Sequence, residues 1–489
     1  MKRSWRRWAL VGALLTVGAW LAWPPEPEPA NLVPAAAKPF VWRQDARWEA
    51  LERRFVEARQ VGCAGTAGTI SERLAVLEAV LERLAVVSAG PTTPAWDDAE
   101  LALFEAAPLV AACPERIAEL ARLQARFRDL AKLRSRTWDM SSRAARDRLY
   151  RVLHGGRTAL DQAILQAPGS LPEVLLGEDV ASHTPSAVIR GVRLHSGDLL
   201  LSRGTAPTSA LIARGNDYPG SFSHVALVHV AAADGAVSFV EAHIERGVAI
   251  ASVESYFADA KWRLVVLRPR SDLPALGRHP LLPHRAASWA VAEAHARHIP
   301  YDFAMDTSDA GAMFCSEVAW WAYRSQGVRL WLGPSHISSP GLVRWLGCFG
   351  VRHFETLEPS DLEADPQLAL VAEWRHPDGL WQDHLDSAVI EVMLEEAEAG
   401  AAIPVPRMLL PVARLAKAWS WVLNRLGRVG PVPEGLSATA ALRNRELSRI
   451  HRQRTSRLSA LAEDFTCRQG YRPPYWQLVR LARTTATSR

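Results

Sequence analysis

Neither an HExxH nor a CxxC pattern occurs in the chain, and its scattered histidines, such as His195, His336 and His353, lack ligand spacing. Zinc-hydrolase and thiolate-metal chemistry therefore have no sequence support, and neither a metal nor a cofactor is assigned. No internal repeat is visible, so a solenoid or propeller has no support either. An excess of charge of one sign is also missing. The formal net charge is +5, and Lys2, Arg3, Arg6 and Arg7 supply most of it. The remainder is nearly balanced, which argues against a nucleic-acid partner.

No apolar run reaches the ~20 residues of a standard membrane span. The nearest is ALVGALLTVGAWLAW (9–23), which follows MKRSWRRW and is bracketed by Trp5, Trp8, Trp20 and Trp23. No small-x-small cleavage site adjoins it and no lipobox cysteine is present. Residues 1–23 are therefore expected to be an uncleaved signal anchor with its N-terminus inside, and a cleaved signal peptide is the alternative. Either way the rest of the chain is exported. It would sit at a bacterial inner membrane facing the periplasm, or be secreted if cleavage occurs.

Cysteine is scarce too. There are five, an odd number, so in an oxidising compartment at least one is left as a free thiol or pairs with another chain. Four structural cysteines and a reactive Cys315 are expected.

What is present is ample apolar material. With 489 residues, 48% hydrophobic and 22% charged, the chain can bury cores for two or three domains. Residues 24–44 are Pro-rich and read as a stiff spacer that forms no core. Trp48, Leu51 and Phe55 then begin a helical pattern. Thr69 and Glu72 form a capping box ahead of Leu74, Leu77, Leu81 and Leu84, and Leu120, Leu123, Phe127 and Leu130 repeat the spacing. Residues 45–168 are expected to be an all-α bundle, with a coiled-coil dimerisation arm as the alternative. Its helix reversals bring Cys63 and Cys113 to one pole, where they should form a disulfide.

The period changes from 3.6 to 2 after a Pro- and Gly-rich loop. GDLLLSRG (197–204), SHVALVHV (223–230), AVSFVEAHI (236–244) and WRLVVLRP (262–269) read as strands. TSALIARG (208–215), HRAASWAVAEAHARH (284–298) and FCSEVAWWAYRSQG (314–327) read as helices. Beyond residue 360 the pattern is helical and charge-segregated, with acidic residues in 361–398 and arginine in 443–489. Packed surfaces of opposite sign explain this most simply. A sharper reading places RLAKAWSWVLNRLGR (414–428), with Trp419, Trp421 and Val422 among cations, on an anionic membrane surface.

Thiol catalysis needs a thiolate at neutral pH. A helix N-terminus beside an imidazole supplies one, and the free N–H groups of the first turn can also hold an oxyanion. Cys315 opens a helix after the loop AMDTSDAGAMF. His224 begins an apolar strand, where it could serve as base. Glu241 is a carboxylate inside the next apolar strand, where burial demands a partner such as that imidazole. His243 and Glu245 are the alternatives for the orienting group.

With these residues in place the sequence resembles the YiiX/YebB-like hydrolases, circularly permuted relatives of NlpC-type papain-like peptidases. GDLLL (197–201), SHVALV (223–228), VEAHIERGV (240–248), LRP (267–269), PYDF (300–303) and FCSEVAWWAY (314–323) carry the resemblance, over roughly residues 190–345. It implies the chain order His, carboxylate, Cys, matched by His224, Glu241 and Cys315. It also implies substrate-side roles for Tyr301 and Asp302. Trp320 and Trp321 depart from the smaller residues expected on the nucleophile helix.

The expected fold is thus α+β. A permuted papain-like (NlpC-type) thiol hydrolase domain over residues 185–360 is flanked by the N-terminal bundle and a mostly helical C-terminal region (361–489). The expected function is a membrane-associated, exported cysteine hydrolase. It would cleave an amide, in a cell-wall peptide or an N-acyl substrate, through a thioester. The alternatives are an acyl-lipid hydrolase or acyltransferase, and a non-catalytic envelope scaffold.

Overall fold

A computed structural model describes residues 15–486, so most of the expected anchor lies outside the described residues. Among the described residues no helix is long and apolar enough to cross a membrane. The chain is a mixture of helix and sheet that begins with a helical region.

That region consists of α1 (Asp45–Val86), α2 (Ala95–Ala112), α3 (Ile117–Arg134), α4 (Arg143–Tyr150) and α5 (Gly156–Gln166). α1 is broken at Gly62, where φ is 79°. Glycine carries no Cβ to oppose that conformation, so the chain doubles back there. Arg54 and Arg73 both reach Glu105, at 3.8 and 3.0 Å, which places the two arms of α1 side by side. The Thr69–Glu72 pair therefore lies inside the returning arm and does not open a helix, because the reversal is already made at Gly62. Leu74, Leu77, Leu81 and Leu84 bury against Leu103, Phe104, Leu120 and Phe127. Cys63 and Cys113 meet at the pole with Cα atoms 5.3 Å apart and form a disulfide, as expected. Cys348 and Cys467 remain free thiols beside Cys315. Only two of the four expected structural cysteines are bonded.

The strands are β1 (Val174–Leu176), β2 (Ser186–Ile189), β3 (Val192–His195), β4 (Leu199–Gly204), β5 (His224–Val230), β6 (Val237–His243), β7 (Gly247–Ser252), β8 (Lys261–Pro269) and β9 (Leu368–Arg375). Seven of them form one antiparallel sheet in the order β1-β9-β8-β4-β5-β6-β7, and β2 and β3 make a separate hairpin. β9 adds a strand to a region beyond residue 360 that is otherwise mostly helical. LALVAEWR pairs along β8, Leu370 opposite Leu267 and Trp374 opposite Leu264, and covers an edge that would otherwise be open.

Side chains alternate across this sheet as a period of 2 requires. Leu199, Leu201, Val225, Leu227, Val240, Ala242, Val265 and Leu267 pack with helices Leu282–Ala296 and Cys315–Ser325. Leu200, Ala226, Val228, Phe239 and Val266 pack on the other face with Val192, Leu194 and Tyr256.

At one end of β4, β8 and β9 a buried polar layer joins the sheet to its flanks. Arg263 Nη1 lies 2.7 Å from Asp161 of α5, and its Nε donates to Asp383. Arg203 reaches Asp386 at 2.6 Å, and Arg375 reaches Asp161 at 3.1 Å. The C-terminal surfaces of opposite sign are packed together: Arg454 meets Glu396 at 2.9 Å and Arg483 meets Glu395 at 2.7 Å.

The segment 24–44 is not a free spacer. The Phe40 ring lies 4.8 Å from that of Tyr150 and 5.1 Å from that of Trp42. Leu32 and Ala35 pack against the C-terminal core. The apolar residues between its prolines find partners on the body, which outweighs the stiffness read from composition.

Candidate active site

The helix Cys315–Ser325 owes its placement to the loop before it. Met313 N–H donates to Pro300 O at 3.0 Å, and Val248 N–H donates to Ile299 O at 2.9 Å. Gly247 has a φ of 72°, and a Cβ there would come within 2.0 Å of Ile299 O, so only glycine lets the loop sit this close to the β6–β7 turn. Helix Cys315–Ser325 packs through Val318, Ala319 and Ala322 on the sheet, and Gly327, at φ 79°, follows its end. Cys315 is its first residue and is 4% exposed.

His224 opens β5, opposite Ser202 of β4. Its Nε2 lies 2.6 Å from Glu241 Oε2. With that nitrogen engaged, Nδ1 is left for the thiol, and the charges of the His224 ring and Cys315 act on each other. Glu241 is 2% exposed. Its other oxygen lies 2.9 Å from His243 Nε2. His243 thus shares Glu241 with His224, their rings 5.6 Å apart, and does not replace Glu241 as orienter.

The electrostatics follow from these contacts. Burial disfavours the charged form of His224, but hydrogen bonds to Cys315 and Glu241 outweigh it and raise its pKa to about 10. Burial also opposes the Cys315 thiolate, yet His224 and the Val225 backbone amide bring its pKa below the ordinary thiol value. Burial opposes the Glu241 carboxylate too, and His224 and His243 overcome it and hold its pKa well below the usual range. These shifts favour a thiolate–imidazolium pair beside a fixed carboxylate.

Of the two residues expected to face substrate, Tyr301 lies near the thiol. Burial raises its pKa, and the charge of Cys315 is the next cause. Asp302 binds its own loop. Oδ1 accepts from Ala304 N–H at 2.7 Å and Oδ2 from Asp306 N–H at 2.6 Å, so both oxygens are spent on folding the loop ahead of the nucleophile. Asp302 thus shapes the loop on which the expected substrate-side residues stand.

One group was missed. Glu317 is fully buried two residues after Cys315. Its Oε2 accepts from Phe314 N–H at 3.0 Å, while Oε1 has no partner. Burial, with Asp302, Asp306 and Cys315 adding to it, raises its pKa to about 9, so it is a neutral acid at pH 7. Its signal in the sequence is a Glu at the third position of the nucleophile helix, where a side chain can reach back to the preceding N–H.

The fold and site define a mixed helix-and-sheet protein with a Cys-His-Glu cluster at a helix N-terminus. Among solved structures the chain is similar to the metalloprotein yiiX from Escherichia coli O157:H7, at 19% identity and a TM-score of 0.29, over 36% of this chain and 95% of that one. So loose a superposition indicates a distant relation and carries no argument about chemistry. No family model matches the sequence, and no curated protein matches it.

Proposed function

We propose that this chain is a cysteine hydrolase built on a permuted papain-like, NlpC-type domain, cleaving an amide through a thioester on Cys315. The observation that carries the reading is the 2.6 Å contact of His224 Nε2 with the buried Glu241 carboxylate, which leaves Nδ1 for Cys315 at the start of its helix. The thiolate attacks the carbonyl carbon, and the charge on oxygen is held by N–H groups of the helix N-terminus. The tetrahedral intermediate collapses as the imidazolium gives its proton to the leaving amine. His224, now neutral, takes a proton from water. The resulting hydroxide cleaves the thioester, and the acid departs as thiolate and imidazolium are restored. Glu241 holds the ring orientation throughout and favours its charged form.

The substrate is a cell-wall peptide or an N-acyl amide, reached outside the inner membrane. The Cys63–Cys113 disulfide supports export, since such bonds persist in oxidising compartments. A second reading, acyl-lipid hydrolase or acyltransferase, is favoured by the apolar surface described below. The test is incubation of the purified chain with muropeptides, N-acyl amino acids and phospholipids, with intact-mass detection of an acyl group on Cys315. Product formation by wild type and none by Cys315→Ala is expected. Undiminished turnover by Cys315→Ala overturns the reading.

A further inference from the structure

The helix α6 (Leu410–Arg425) packs inside out for a helix surrounded by water. Its buried positions are Leu410, Ala413, Arg414 and Ser420, a mostly small or polar set. Its outward stripe is Val412, Leu415, Trp419 and Val422, continued by Met408, Leu426 and Val429 at helical spacing, and all of these are exposed. Trp419 and Trp421 are each 56% exposed, and the Arg425 guanidinium lies 4.0 Å above the Trp421 ring. An apolar stripe this continuous on a surface marks a binding face.

The stripe has a neighbour. Arg414 Nη1 donates to the carbonyls of Trp20, Leu21 and Trp23 at 2.9, 2.9 and 2.7 Å, and Nη2 donates to Pro24 O at 3.0 Å. The end of the apolar run 9–23 is thereby fastened to this helix. Trp20 and Trp23 are exposed beside it, at 45% and 68%. Past the stripe, Glu434 Oε2 lies 2.8 Å from His298 Nε2, and Gly435 sits against Phe303. The patch is therefore tied to the loop that precedes Cys315.

We propose that α6 and the end of the apolar run together form one face that lies in the surface layer of a bilayer containing anionic lipid. Three features select lipid as the occupant. Arg414 holds the end of the apolar run on the same helix, and the upstream flank of that run carries Lys2, Arg3, Arg6 and Arg7. Tryptophans stand along it, as they do where one end of a side chain is wet. Arg407, Arg425 and Arg428 flank it and can meet anionic headgroups. The proposal does not depend on the thiol chemistry.

The test uses the full chain reconstituted into phosphatidylethanolamine–phosphatidylglycerol vesicles doped with a diazirine-bearing phospholipid, followed by irradiation and peptide mapping. Lipid adducts are expected on residues 408–429 as well as within 9–23. In the double variant Trp419→Glu, Val422→Glu, adducts on 408–429 should fall by at least about tenfold while those on 9–23 persist. Both side chains are exposed, so the variant should fold, and unchanged circular dichroism checks this. Adducts confined to 9–23 in the wild type, or protein–protein crosslinks through 408–429 in place of lipid adducts, overturn the proposal.

Discussion

Glu241 Oε2 lies 2.6 Å from His224 Nε2, which leaves Nδ1 of the imidazole for the Cys315 thiol. Each member of this chain has one task, so their loss should be unequal and non-additive. Cys315→Ala and His224→Ala should each lower kcat by roughly a thousandfold or more, and the double variant little further. Glu241→Gln keeps the shape and an acceptor but loses the charge that favours imidazolium. Its cost should be smaller, on the order of a hundredfold. Steady-state kinetics on whichever substrate acylates Cys315 measure all four.

The thiolate–imidazolium pair also sets a pH window. His224 has its pKa raised, so its contribution to stability is complete below its ordinary value of 6.5 and is lost as pH rises through about 10. Glu241 is shifted the other way. Its contribution is present above its ordinary 4.5 and is lost as pH falls through its depressed value. Alkylation of Cys315 by iodoacetamide should thus persist below the ordinary thiol value of 9.0, and Glu241→Gln should move the profile upward. Cys348, whose burial raises its pKa, is the internal contrast and should react only at higher pH. Identical profiles for the two cysteines by peptide mapping would contradict the pairing.

Glu317 makes the opposite prediction. Its pKa is raised to about 9, so as pH climbs from its ordinary 4.5 the unfolded chain ionises first and the fold loses stability. Glu317→Gln keeps an acceptor for Phe314 N–H without an ionisable group. It should flatten that decline in denaturant titrations between acid and alkaline pH. Glu317→Ala removes the acceptor and should cost about 1–2 kcal/mol at any pH.

How far the sequence could be read depended on whether local signals decided the structure. The strands around His224 and Glu241 are short apolar runs bounded by Gly, Asp or Pro, so their extents were legible. The Cys63–Cys113 pole was legible because helix reversals count out along the chain. Strand β9 was not, since LALVAEWR is poor in β-branched residues and gains its conformation from β8, a neighbour distant in sequence. Nor was the docking of residues 24–44, because only the folded body supplies Tyr150 as a surface for Phe40. The loop-folding contacts of Asp302 were hidden for a related reason: a carboxylate near a nucleophile and one that binds its own loop look alike until Ala304 and Asp306 are placed.

The disulfide gives a prediction independent of catalysis. Cys63 and Cys113 close a loop with a sequence separation of 50. Chain-entropy arguments put such a crosslink at about 4 kcal/mol as an upper figure. The double variant Cys63→Ser, Cys113→Ser should therefore lower the melting temperature of the helical region, and near-ultraviolet circular dichroism of its buried Trp96 can follow it. Reductant should have the same effect on wild type and none on the variant.

The last prediction concerns the polar layer that joins the helical region to the sheet. Asp161, 1% exposed on α5, lies 2.7 Å from Arg263 of β8 and 3.1 Å from Arg375 of β9, and Arg263 also pairs with Asp383 in the helix Pro377–Glu398. Two buried guanidiniums thus share one carboxylate, and the layer spans three parts of the chain that sequence divides. Removing the shared partner leaves Arg263 only Asp383 and Arg375 only Glu373, and breaking a buried pair typically costs up to about 3–5 kcal/mol. Asp161→Ala should lose that amount in urea unfolding followed by tryptophan fluorescence. Replacing Asp161 and Arg263 together by leucine and methionine should cost less than Asp161→Ala alone, because Arg263 goes with its partner while Asp383 keeps Arg203 and Arg375 keeps Glu373. If the layer couples these regions, wild type unfolds in one transition and Asp161→Ala separates an early one for the helical region. Two well-separated transitions in the wild type, or an Asp161→Ala variant as stable as wild type, would show that the regions hold together by apolar packing alone.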